Sequence, residues 1–101
     1  MTRITVQGIG VFGGFGTGVQ AFIHALESRP VPPSVQPIPT GHGPMDLAAF
    51  RADLTPLEAL VPARTLRRMD SFSKMALLGA HLALTDAGIE PANQAGLGLI
   101  I

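Results

Sequence analysis

Hydrophobic and polar positions trade places along the chain in a way that marks out its elements. Arg3 to Val6 alternate charge, Ile, Thr and Val and run into Gln7-Gly8-Ile9-Gly10. β-Branched residues that stop at glycine predict a strand. Further on, Val19, Phe22, Ile23 and Leu26 sit at i, i+3, i+4 and i+7, one apolar stripe of an amphipathic helix. Thr17 is its expected N-cap, and Ser28-Arg29-Pro30 its stop. Pro30, Pro32, Pro33, Pro37, Pro39 and Pro44, six of the nine prolines, follow within fifteen residues. Proline fixes φ and removes a backbone donor, so residues 30–62 read as an irregular connection with at most a short edge strand. Inside it, Met45 to Ala52 is expected to form a short helix, and Leu54 to Val61 another turn or two.

The second clear element starts near Ala63. Leu66, Met69, Phe72, Ser73, Ala76, Ala80, Ala83 and Ala87 step by three and four, with Leu77, Leu78, Leu82 and Leu84 beside them. Its second half is apolar nearly all round, with Gly79 and alanines on one side, which predicts close packing on another element. Gly88 supplies the C-cap and Pro91 prevents a restart. Gly96 to Ile101 reads as a buried strand. A domain seldom ends on an uncapped apolar strand, so the expectation is an incomplete N-terminal part of a larger domain, with no second domain within residues 1–101.

Composition sharpens this picture. Of 101 residues, 47% are hydrophobic and only 14% charged, with a mean hydropathy of +0.37. Disordered chains are poor in apolar residues and rich in charge, so disorder is excluded. Seven basic and seven acidic residues cancel, which argues against a general binder of nucleic acid or anionic membrane. No cysteine is present, so the chain offers no disulfide, no zinc ribbon and no thiol nucleophile. Met75 to Leu84, its longest apolar stretch, falls well short of the roughly 20 residues of a membrane span. The N-terminus lacks the apolar core of a signal peptide, and the cytoplasm is the expected location.

Little catalytic chemistry is offered. Gly8-Ile9-Gly10-Val11-Phe12-Gly13 matches the G-x-G-x-x-G of dinucleotide-binding turns. The glycines continue to Gly18, however, and no acidic residue follows about 20 positions on, at the end of a second strand. The alternative is a glycine-rich turn that lets backbone pass close to its neighbours. His24, His42 and His81 lack a partner at metal-ligand spacing, and Ser28, Ser34, Ser71 and Ser73 lack a nucleophile-elbow context. No cofactor is implied. Arg64, Arg67, Arg68 and Lys74 are four of the seven cations, against Asp70 alone. Arg64, Arg67 and Arg68 fall at i, i+3 and i+4, on one face of the first turns of the expected helix. A helix N-terminus disfavours cations, so the placement points to an acidic or phosphate-bearing partner. Plain solvated charge, or internal pairing with Asp70 or Glu58, is the competing reading.

These residues together resemble the opening of beta-ketoacyl synthases. Arg3 to Val11, then Phe15-Gly16-Thr17-Gly18-Val19 and a short helix, is similar to that family's first strand, T-G-x-G-x-x-S-P-x-G turn and helix. Leu66-Arg67-Arg68-Met69-Asp70-Ser71-Phe72-Ser73-Lys74-Met75-Ala76 looks like its R-R-M-D-R-F-S-x-x-A block. Leu84-Thr85-Asp86-Ala87-Gly88-Ile89 looks like its A-L-x-D-A-G-L ending, and Gly96 to Ile101 like its next strand. The resemblance implies a strand, helix, Pro-rich loop, long helix and strand of a thiolase-like layered α/β/α fold. It further implies a dimeric synthase that condenses an acyl thioester with malonyl-acyl carrier protein, in fatty-acid or polyketide synthesis. The family's catalytic cysteine and two histidines would lie beyond Ile101. Arg64, Arg67 and Arg68 match its basic patch for acyl carrier protein. Gly13-Gly14 in place of Ser-Pro, and Gln7 in place of Thr, mark a divergent branch or a non-catalytic partner subunit resembling chain-length factors.

Overall fold

In the computed structural model, which describes residues 2–28 and 32–90 together with Gly98 and Ile100, two β-hairpins, three α-helices and a short 3-10 helix make a small mixed α/β structure. In order these are β1 (Phe12–Gly13), β2 (Gly16–Thr17), α1 (Val19–Glu27), β3 (Ser34–Thr40), β4 (Gly43–Ala49), a short 3-10 helix (Thr55–Ala59), α2 (Ala63–Leu66) and α3 (Ser71–Asp86).

The expected strand at Arg3 to Val6 is not formed. A strand exists by its ladder, and the described strands pair only with each other, β1 with β2 and β3 with β4. Ile4 and Val6 are left almost fully exposed. Helix α1 forms where its apolar stripe predicts, but Gly18 rather than Thr17 is the N-cap. Thr17 is held in β2 opposite Phe12, and the Gly18 N–H donates to the Val11 carbonyl at 2.7 Å. The Phe15 ring packs on Phe22 at 5.3 Å between centroids, tying the first hairpin to the helix. Phe22, Ile23 and Leu26 otherwise face outward.

The proline-rich stretch holds the longest hairpin, a correction on two counts. It is regular, and Met45–Ala49 is strand rather than helix. Ser34–Thr40 pairs with Gly43–Ala49 across a two-residue loop, Gly41-His42. The Thr40 hydroxyl accepts from the His42 N–H at 3.2 Å and donates to the Gly43 carbonyl. In such a ladder hydrogen-bonded and non-bonded pairs alternate from the loop-closing pair, here Thr40 with Gly43. Pro39 with Pro44, and Pro37 with Asp46, are therefore non-bonded pairs. Each of these prolines occupies a place where the missing N–H would have pointed outward, so the ladder loses nothing.

The expected turn at Leu54 to Val61 is the 3-10 helix, begun by the Asp53 carboxylate accepting from the Thr55 N–H at 2.9 Å. It brings Leu57 onto Leu66 and Leu78, the buried centre of the structure, with Phe12, Leu54, Val61, Met69, Leu77 and Leu82 packed around them. Each such leucine contributes about 1.5–3 kcal/mol by leaving water.

The single helix expected from Ala63 is two. Asp70 divides them, since its side chain accepts the Ser73 N–H at 2.7 Å and its own backbone is extended. That is N-cap geometry, which a helix interior does not permit. The small face of α3 is used as predicted. Gly8 and Gly10 lie so close to it that a Cβ on either would overlap the carbonyls of Ala83 and Gly79. At the far end the Ile89 N–H donates to Leu84 and the Gly88 N–H to Thr85, a Schellman cap with Gly88 at φ 73°. The strand expected at Gly96 to Ile101 lies outside the described residues, apart from Gly98 and Ile100, which carry no element. No helix among the described residues is long and apolar enough to cross a membrane.

Candidate functional site

The site is built on the joint between α2 and α3. Leu66 is driven into the core, 8% exposed, and this sets where its neighbours point. At about 100° per residue, Arg64 and Arg68 lie roughly 200° around the helix from Leu66, on its outer side, and Arg67 about 100° to one flank. All three are exposed. Arg67 is the C-cap of α2, and Arg68 follows on a tighter turn, its N–H donating to Thr65. The arginines therefore close a short helix instead of opening a long one. The dipole objection raised by the sequence is removed, because cations are at home beside free C-terminal carbonyls.

Lys74, half-buried on the first turns of α3, completes the cluster. A cleft of ≈ 330 Å³ lies between Glu58, Ala63, Leu66, Arg67 and Lys74. A second, of ≈ 300 Å³, lies on the other side of the same lysine, with Arg51, Asp53, Thr55 and Ser71 among its walls. Asp70, the acid nearest in sequence to the arginines, is occupied by capping. The Ser73 backbone N–H, and then its hydroxyl, hold the Asp70 carboxyl below its ordinary value. Thus Arg64 and Arg68 form an open basic edge, while Arg67 lines one cleft together with Lys74. Sequence spacing had placed the three arginines together. Spacing alone does not bring Lys74, Arg51 or Glu58 to them; the 3-10 helix carries Glu58 to α3, and Arg51 lies in the chain that leads into it.

Gly8 and Gly10 of the dinucleotide-like run are filled on their Cβ side by α3, and α1 begins only at Val19. These glycines act in packing. At Gly14, the second position departing from the Ser-Pro pattern, the Phe50 side chain occupies the space a Cβ would need; Phe15 does the same at Gly13. His24 meets Ser28 at 3.4 Å on exposed α1, His42 sits in the second hairpin loop, and His81 is half-buried on α3. Among the described residues no cluster of His, Asp or Glu could hold a metal ion. The Asp86 carboxylate, at the end of α3, accepts the Ile9 N–H at 2.9 Å and ties the glycine run to the helix. Compared with protein-family models, curated proteins and solved structures, the chain matches none.

Proposed function

We propose that this chain is the scaffold and partner-docking segment of a beta-ketoacyl-acyl carrier protein synthase of thiolase-like layered fold. Such a synthase joins an acyl thioester to malonyl-acyl carrier protein with loss of carbon dioxide, and works as one of a pair of subunits. The carrying observation is where the two most specific blocks of the resemblance fall. Arg67-Arg68-Met69-Asp70 makes the joint before α3, with Asp70 its N-cap. Asp86-Ala87-Gly88-Ile89 makes the cap at the other end, with Asp86 reaching back to the glycine run. Two motifs separated in sequence thus delimit one helix, and the second also fastens the first extended segment to it. Such a constraint on helix length and closure accounts for both blocks without any catalytic role.

Lacking cysteine, the chain supplies no thiolate for acyl transfer. Its share of the function is to support that chemistry and to present Arg64, Arg67 and Arg68 to the acidic surface of acyl carrier protein. Exposed arginines recognise carboxylates through charge-assisted, often paired hydrogen bonds. Rim charges act mainly on encounter rate and salt dependence. Exchanging Arg67 and Arg68 together for Glu is expected to weaken carrier-protein binding by about 1–3 kcal/mol, with thermal stability unchanged. Wild-type affinity is expected to fall as salt rises. Unchanged affinity in a stable double variant would assign these arginines to solvation alone.

A further inference from the structure

Resting on the docking role proposed above, we infer that Lys74 is a second anchor, holding an acidic side chain of the partner's helix inside the cleft it shares with Arg67. Of the two clefts beside Lys74, charge selects this one. The cleft on the Arg51 side sets Arg51 and Lys74 against Asp53 and Glu58, a neutral balance. The Arg67 side sets Arg67 and Lys74 against Glu58 alone, an excess of one positive charge. Its volume, ≈ 330 Å³, stands at the bottom of the range of small-molecule pockets, about 300–1,000 Å³. It suits one carboxylate side chain better than a cofactor. Its apolar floor is Leu66, buried in the core, and Lys74 is half-buried, so a charge pair formed here is less screened than one on the open Arg64–Arg68 edge. The partner helix would lie along Arg64 and Arg68 and send one carboxylate down to Lys74, against the repulsion of Glu58 in the same cleft wall.

Two substitutions of opposite sign test this. Lys74→Met keeps an unbranched apolar side chain at this half-buried position and removes the charge; it is expected to weaken binding of fluorescently labelled apo acyl carrier protein about 5–10-fold at low salt. Glu58→Gln removes the competing carboxylate at an exposed position and is expected to tighten binding about 2–5-fold. With a merely structural lysine the Glu58→Gln gain would persist undiminished in the Lys74→Met background; with Lys74 as the anchor it is expected to shrink there. If neither variant shifts affinity while the Arg67, Arg68 double exchange weakens it as expected, the cleft is overturned and the docking role stands. If all three leave affinity unchanged, the docking role falls as well.

Discussion

Two exposed aspartates decide where helices begin. Asp53 and Asp70 each turn a carboxylate oxygen onto a backbone N–H two or three residues ahead, satisfying a donor the helix itself leaves free. Both carboxyls are held below their ordinary value, first by the backbone N–H and then by the hydroxyl of Thr55 or Ser73. A folded-state value below the unfolded one contributes stability that is complete above the unfolded value, and is lost as pH falls through the folded one. Helix content of the wild type is therefore expected to decline as pH drops below about 4. Asp70→Asn caps without a titrating charge and is expected to lose less of its far-UV circular dichroism over that range. Coincident acid titrations of the two proteins would show that the Asp70 cap carries none of the pH dependence.

At the scale of elements, the decisive contact is backbone on backbone. Gly8 and Gly10 lie against Gly79 and Ala83 of α3 and its C-cap Ala87, and only glycine permits that approach. Gly10→Ala is expected to cost about 1–3 kcal/mol, as overpacking typically does, read as a lowered midpoint of urea unfolding. An unchanged midpoint would mean that the segment does not rest on the helix. This packing was legible in the sequence, since Gly79 and the alanines step along one side of an otherwise apolar helix. So were the α1 stripe, the Gly88 cap and the turn after Leu54. The hairpin was not, because Met45, Leu47, Ala48 and Ala49 are good helix formers individually and the prolines opposite discourage a strand. Pairing register overrides both preferences, placing every proline in β3 and β4 at a non-bonded position. The break at Asp70 was hidden for a related reason. The apolar period runs through it unbroken, and the local hydrogen bond to Ser73 is what ends one helix and starts the next. Of the site, the arginine spacing could be read directly, but the cleft needed the tertiary placement of Glu58.

At the scale of the whole molecule, three fully or nearly buried leucines are a small core. Large apolar side chains are left exposed among the described residues: Phe22, Ile23 and Leu26 on α1, Met45 and Leu47 on β4, Phe72 and Met75 on α3. The chain by itself is expected to self-associate at tens of micromolar, with no net charge to oppose it. Sedimentation velocity giving a single stable monomer would refute this. The form of such an assembly is limited by the prolines of the long hairpin. Pro37 and Pro39 strip donors from the outer rim of β3, and Pro44 does so on β4. Fibril growth adds strands edge to edge through continuous backbone donors; this ribbon lacks two of the three on the outer rim of β3, while on β4 Asp46 and Ala48 keep theirs beside Pro44. Edge pairing through β3 is therefore blocked, and an assembly that grows on both edges of the ribbon, as a cross-β filament does, is disfavoured against clusters held by side-chain faces.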